Sequence, residues 1–322
     1  MKHVLLIGGG GTLGTYTAKE LLRLGHKVDV ICLEDHISED PRLRFIKAKA
    51  TESFLRDFLQ KQSYQGIVNF IHYPDVEEYK RIHPLLIRHT EHLVFLSSYR
   101  VYADLQHPIT ENAPMLLDVL KDPSFLEKET YAASKARAEK YLCAEHTGEP
   151  WTIVRPVISF SQRRFDLFTC NLNGKAQYVF DCVREGKPAV LPECAKHLTA
   201  GLDWAGNSGK LIANLLFKPE TFGQAYTISS AQNLLWSEVA ALYTKLIGLQ
   251  VEYIPTEDFI RAHYPIVDNG WIFWYDRYYD RPIDNSKVMK ATGLRAEDLL
   301  SIEEGLKNEI ALYRASLEDK SI

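Results

Sequence analysis

Val4-Leu5-Leu6-Ile7-Gly8-Gly9-Gly10-Gly11-Thr12-Leu13-Gly14 is the stretch that decides how this chain folds. Four consecutive apolar residues read as a strand buried on both faces. Glycines then recur at 8, 11 and 14, and residues 15–24 carry apolar side chains at helical spacing as far as Gly25. Strand, glycine turn and helix, in that order, is the context that gives such spacing a meaning. Without Cβ atoms the turn closes tightly and its backbone can approach a pyrophosphate. The helix behind it offers unpaired N–H groups and the positive end of its dipole, equivalent to about half a charge. Gly8, Gly11, Thr12, Leu13 and Gly14 are therefore the candidate cradle for a dinucleotide.

Outward from this turn the chain alternates. Strands are expected at 28–33, 43–46, 66–71, 93–96 and 152–155, with helices at 53–60 and 131–144. Alternation of this kind calls for a parallel sheet covered by helices on both faces. Beyond about residue 160 the pattern loosens, leaving short strands at 189–191 and 225–228, a helix at 236–246 and a stretch dense in Trp and Tyr at 264–282. The expected architecture is α/β: a doubly wound parallel sheet in residues 1–160, joined by a returning segment at about 198–232. A smaller C-terminal substrate-binding lobe would be built from 161–197 and 233–322.

The 322 residues are 46% apolar and 25% charged, the balance of a soluble globular protein. A net charge of −4 argues against a general nucleic-acid binder. Cys32, Cys143, Cys170, Cys182 and Cys194 are odd in number and form no CxxC pair, so reduced thiols are expected and no metal site. His72, His83, His89 and His92 read as surface or capping histidines. The opening apolar run is too short for a signal peptide core, and no stretch reaches the ~20 apolar residues of a membrane helix. A cytoplasmic location is the expectation.

Tyr131 and Lys135 lie four apart on an expected helix, hence on one face. A tyrosine ordinarily titrates near pH ~10, and an adjacent ammonium favours its phenolate, fitting it to exchange protons with a substrate oxygen. Ser97 and Ser98 fall at the C-terminal end of the 93–96 strand, where open α/β sheets place their ligands. At the tip of the second strand Glu34, with Asp35 second, is the acid placed to meet a ribose 2′-hydroxyl. No Arg or Lys stands in the glycine turn or at that tip, so NAD is expected rather than NADP.

Together these residues resemble the extended short-chain dehydrogenase/reductase family, in its NAD-dependent epimerase/dehydratase group, which has a Rossmann-type fold. The likeness runs from Gly8, Gly11 and Gly14 through Ser97-Ser98-Tyr99-Arg100-Val101-Tyr102, Tyr131 to Lys135, Val154-Arg155-Pro156 and Gly201-Leu202-Asp203-Trp204-Ala205 to Asp284-Asn285-Ser286-Lys287. The resemblance implies that Tyr131 is the catalytic acid/base, that Lys135 lowers its pKa and holds the nicotinamide ribose, and that Ser98 bonds the reacting oxygen. It implies that Ser97, Pro156 and Ile158 line the nicotinamide pocket. It implies transient oxidation of a hydroxyl on a nucleotide-linked sugar, and a homodimer.

Departures from the family pattern are also visible. Cys32 stands where a ribose-binding Asp is usual, with Glu34 as substitute, and Lys49, next to Ala50, stands where an adenine-contacting Asp is common. Ile71 and His72 replace small residues beside the cofactor. Only 74–92 separates the fourth and fifth strands, which leaves less surface for dimerisation there. Tyr99 follows Ser98 where 4,6-dehydratases carry an Asp-Glu pair, which counts against dehydration. An insert at 103–130 is expected to form a lid or pocket wall. Arg277 and Arg281 either clamp a substrate diphosphate or pair with Asp276 and Asp280. Trp271, Phe273, Trp274 and Tyr275 are expected to pack between the lobes. The competing functions are an NAD(P)H-dependent carbonyl reductase and a non-catalytic nucleotide- or RNA-binding protein on the same fold.

Overall fold

A computed structural model describes residues 1–123, 125, 131–168, 177–263 and 273–318. The strands are β1 (His3–Ile7), β2 (Lys27–Cys32), β3 (Leu43–Lys47), β4 (Gly66–Asn69), β5 (Leu93–Leu96), β6 (Trp151–Pro156), β7 (Ile158–Phe160), β8 (Ala189–Pro192), β9 (Leu202–Trp204), β10 (Gln224–Ile228) and β11 (Val251–Ile254). Seven of them form one parallel sheet in the order β10-β6-β5-β4-β1-β2-β3. The sheet is Rossmann-like and doubly wound: the chain builds outward from β1 to β3, then returns past β1 to begin again at β4. The crevice between the carboxyl ends of β1 and β4 is where such a sheet binds ligands.

Helices cover both faces. α1 (Thr12–Arg23) lies on one, while α2 (Glu52–Leu59), α3 (Val76–Ile87) and, beyond the short α4 (Leu116–Val119), α5 (Tyr131–Glu145) lie on the other. Alternate residues of β1 feed the two cores. Val4 and Leu6 join Ala18 and Leu21 of α1, whereas Leu5 and Ile7 join Leu55, Ile82 and Leu142. Further along come α6 (Tyr178–Glu185), α7 (Ala205–Leu215), α8 (Trp236–Ile247), α9 (Thr256–His263), α10 (Ser286–Thr292) and α11 (Ile302–Glu318). α7 packs beside α1 and β10 is the edge strand next to β6, so residues far along the chain complete the sheet domain. A third core gathers Phe160, Phe168, Trp236, Tyr243, Phe259 and Phe273, and takes in Ala189 and Leu191 of the parallel pair β8–β11.

One carboxylate ties α11 to α1. Glu309 of α11 is fully buried and accepts from the Tyr16 hydroxyl, Trp204 Nε1 at 2.6 Å and Gln162 N at 2.6 Å. The aromatic stretch splits its work. Phe273 is in the third core, Tyr275 packs edge-on against Phe125 at 4.8 Å, Trp274 is 40% exposed, and Trp271 lies outside the described residues.

Several expectations change. The fourth strand stops at Asn69 instead of 71, because the Asn69 carboxamide accepts from Ile71 N at 3.1 Å and turns the chain out toward the crevice. Two histidines expected at the surface are fully buried. His83 meets Glu149 at 2.8 Å, and His92 contacts Thr152 Oγ1 at 2.8 Å. His83 is enclosed by the rings of Tyr79, Tyr141 and His146, and His92 packs edge-on against Phe222. Cys32, Cys143, Cys182 and Cys194 form no disulfide with one another, and Cys170 lies outside the described residues. Among the described residues no helix is long and apolar enough to cross a membrane.

Candidate active site

Each glycine of the turn has its own reason. Gly8 has a φ of +73°, a left-handed backbone that side chains disfavour. A methyl on Gly14 would strike the Gly9 carbonyl, so α1 can leave β1 at this angle only with glycine there. A methyl on Gly11 would meet nothing within 4 Å. Protein packing does not require that glycine, and the space it leaves open is the space a pyrophosphate would take. Gly11 is also the N-cap of α1 and lends it no side-chain cap, so the first-turn N–H groups are left to an anion.

Two clefts open on either side of this turn and share Gly8 and Gly11 in their walls. The first, of about 490 Å³, is lined by Cys32, Glu34, Lys49, Ala50, Ile71 and His72 among others. Glu34 faces the turn, since a methyl on Gly10 would lie 3.0 Å from its Oε2, while Asp35 is drawn to Lys47 at 2.7 Å. The second, of about 520 Å³, runs from Thr12 and Leu13 past Leu96, Ser98, Tyr99 and Tyr131 to Pro156 and Ile158. An adenosine-sized space, a pyrophosphate cradle and a second space reaching Tyr131 therefore lie in one line. The donor set fits a dinucleotide.

Tyr131 starts α5, and Ser98 lies two residues beyond the end of β5. Both line the same cleft, and Ser98 Oγ accepts from Arg100 N at 3.2 Å. Burial pushes the Tyr131 phenol up, while the Arg100 charge and the nearby Ser98 hydroxyl pull it back, and the net direction is upward. Lys135 is 2% exposed beneath the cleft floor, donating to Leu96 O at 2.5 Å and Ile71 O at 3.1 Å. Its ammonium clamps the ends of β4 and β5, and burial lowers its pKa to about 7. The cation beside Tyr131 is Arg100, whose guanidinium carbon lies 5.2 Å from the ring centroid. His72 closes the other side of Tyr131, with ring centroids 4.9 Å apart and Nε2 2.7 Å from Ser134 Oγ.

α5 is locked in place from below. Buried Arg155 pairs with Glu139 at 2.6 Å and donates to the Tyr102 hydroxyl at 2.8 Å, tying β6, α5 and the segment after Ser98 together. Asp203 accepts from Trp204 N, Asn207 Nδ2 and Ser230 N, and Lys287 donates to Ala225 O at 2.9 Å. Those two parts of the family pattern brace the sheet domain.

Three expectations about the lining change. Ser97 is wholly buried, lines neither cleft, and has a hydroxyl with no partner among the described residues. Arg281 is buried behind the wall, paired with Asp276 at 2.5 Å and stacked 4.5 Å from the Tyr99 ring, whereas Arg277 does reach the cleft. The described part of the 103–130 insert lines neither cleft. Its Leu116 and Phe125 pack on Ala132 and so brace the start of α5. Sequence reasoning missed Arg100, Arg163 and Arg164. Arg163 donates to Gly10 O at 2.6 Å, and Ser161 contacts Thr12 at 3.1 Å, so the segment after β7 crosses the glycine turn. A pair of arginines in an otherwise irregular stretch was the one available signal.

The model of the NAD dependent epimerase/dehydratase family matches residues 4–204, and the chain belongs to that family. No curated protein matches it in sequence. Among solved structures it is similar to epimerase Mth375 of Methanothermobacter thermautotrophicus, with 16% identity, a TM-score of 0.74, and 98% of this chain and 93% of that one covered. It is similar to dTDP-glucose 4,6-dehydratase of Bacillus anthracis in complex with NAD (18% identity, TM-score 0.72, 99% and 98% covered). It is also similar to UDP-glucose 4-epimerase of Thermotoga maritima with UDP-glucose (15% identity, TM-score 0.72, 98% and 99% covered). At these identities the likeness is one of fold.

Proposed function

We propose that this member of the NAD-dependent epimerase/dehydratase family is a sugar-nucleotide epimerase that oxidises a ring hydroxyl transiently and restores it. The observation that carries this reading is that Tyr131 and Ser98 stand together in the wall of a cleft that begins at the glycine turn. NAD would lie across Gly8 and Gly11, its adenosine between Cys32, Glu34, Lys49, Ala50 and Ile71, its pyrophosphate on the N–H groups of Thr12 and Leu13. When bound it supplies a hydride acceptor. Tyr131 takes the proton from the substrate hydroxyl and gives it back, Ser98 holds that oxygen in line, and Arg100 stabilises the phenolate. Lys135 fixes the distance between the two strand ends on which Ser98 and the cofactor pocket are mounted.

Elimination of water has no support, because no Asp or Glu lines the cleft around Tyr131 among the described residues. Reduction of an added carbonyl would consume NADH or NADPH stoichiometrically, whereas an epimerase needs no added reductant. The test is mass spectrometry of the purified protein for bound dinucleotide, followed by turnover of nucleotide sugars without added cofactor. Tyr131→Phe is expected to keep the dinucleotide and lose turnover. Unchanged turnover by that variant would sink the assignment.

A further inference from the structure

We infer that this protein binds a divalent transition-metal ion of the zinc class on His83, His146 and Glu149, at the end of the sheet away from Tyr131. The donors come from three places in the chain. His83 stands in α3, His146 is the residue after α5, and Glu149 lies in the turn that leads into β6. His83 Nε2 lies 2.8 Å from one oxygen of Glu149, and His146 Nδ1 lies 3.0 Å from the other. The two imidazole rings are 4.3 Å apart between centroids. All three ligand atoms fall within 4.8 Å of one another. Around a tetrahedral ion with bonds of ~2.0–2.1 Å, ligand atoms stand about 3.4 Å apart. The spacings in the cluster straddle that value, so modest rotations of the Glu149 and His146 side chains would close it on an ion.

Packing already orders these donors. His83 is fully buried, with the rings of Tyr79 and Tyr141 at 5.7 and 6.1 Å. The segment carrying the other two is held by its backbone. His146 N donates to Leu142 O at 3.1 Å, and the His146 carbonyl accepts from Trp151 Nε1 at 2.6 Å. Ligands fixed in advance lose little conformational freedom on binding. An ion on His83 Nε2 places the ring proton on Nδ1, where the Tyr79 oxygen stands 3.4 Å away to accept it. Metal-bound histidines are oriented by a second bond of this kind. The His146 and Glu149 side chains are 15% and 34% exposed, so the remaining coordination position opens to water. Two imidazoles and a carboxylate suit zinc and its transition-metal neighbours, whereas magnesium and calcium take oxygen ligands. Glu149 precedes the amino end of β6, while the cleft with Tyr131 opens at the carboxyl ends of the strands. The ion would therefore tie α3 to the connection between α5 and β6 and act on stability. Cysteine spacing gives no hint of it, because the donors are histidine and glutamate, with His83 and Glu149 66 residues apart.

The test uses the full chain, stripped with a chelator and titrated with zinc in a calorimeter. Zinc is expected to bind more tightly than about 10 µM, and at saturation it should raise the thermal unfolding midpoint where magnesium does not. His146→Ala and Glu149→Gln, both at partly exposed positions, should each weaken zinc binding by at least about 100-fold, beyond the loss seen when only an outer partner is removed. A second measurement needs no variant. Saturating zinc should shield His146 of the wild type from diethyl pyrocarbonate, as mapped by peptide mass spectrometry. Zinc binding weaker than about 10 µM would overturn the inference. So would wild-type affinity in His146→Ala, which would put the ion elsewhere, for instance on Cys32, Glu34 and His36. If the variants fail to fold, the shielding decides, and a His146 that zinc leaves open to the reagent refutes the site.

Discussion

The guanidinium of Arg100 stacks on the ring of Tyr131 while its Nε meets Asp276 at 3.1 Å, so a cation from the adjoining strand end stands beside the phenol. Burial raises the Tyr131 pKa, and Arg100 opposes that rise. Activity that depends on the phenolate should therefore increase with pH. Arg100→Gln removes the opposing charge and should move the rising limb to higher pH, read as kcat/KM against pH on UDP-glucose. A limb that stays in place or moves to lower pH would contradict this relationship.

Two glycines of the turn should fail in opposite ways. Gly14→Ala drives a methyl into the Gly9 carbonyl and should unfold the turn, with a loss of several kcal/mol typical of overpacking against backbone. Gly11→Ala meets open space and should cost about 1 kcal/mol or less, the price of a poorer N-cap. Its methyl would occupy the pyrophosphate cradle, so NAD affinity should fall by more than tenfold. Calorimetric titration with NAD and urea unfolding on both variants separate the two effects.

Lys135 should leave a mark on stability. Its folded pKa is lowered from 10.5 to about 7 by burial. Between those values the unfolded chain holds a proton that the native chain lacks, so this group makes stability increase as pH rises through that window. Lys135→Met should flatten the increase between pH ~7.5 and ~9.5 in urea midpoints. An unchanged slope would place the ammonium elsewhere.

His92 gives the same sign at lower pH. Phe217 N donates to its Nδ1 at 2.9 Å, which fixes the neutral ring with its proton on Nε2, facing Thr152. Burial pulls its pKa down to about 4. The unfolded chain binds the proton first as pH falls below about 6.5, so native stability from this group is lost between there and about 4. His92→Gln should start less stable at pH 7 and lose less on acidification to pH 5, followed by thermal unfolding.

The elements legible in the sequence are those with a strong local signal. Continuous apolar strands such as Val4 to Ile7, the glycine spacing, and the same-face pair Tyr131 and Lys135 each announce themselves within one turn or strand. β7, β8, β9 and β11 were weaker or missed, because runs of three or four residues are too short to carry a periodicity. The partners of Lys135 were invisible for a different reason. They are main-chain carbonyls of Ile71 and Leu96, 64 and 39 residues away, and carbonyls have no sequence signature. Asp276 likewise unites Arg100 with Arg277 and Arg281 across more than half the chain, so only folding reveals that three cations share one acid.

β10 enters the sheet beside β6 after the chain has already travelled through β7, β8 and β9. A ribosome must therefore release well past residue 228 before the parallel sheet can close its edge. Domains that are contiguous in sequence can fold one after another during synthesis, but this one cannot. Nascent chains shortened before β10 would expose the flank of β6 as an unpaired edge, and an unpaired edge invites other chains. Chaperone demand during translation should accordingly be highest over that interval and drop once Ile228 has emerged.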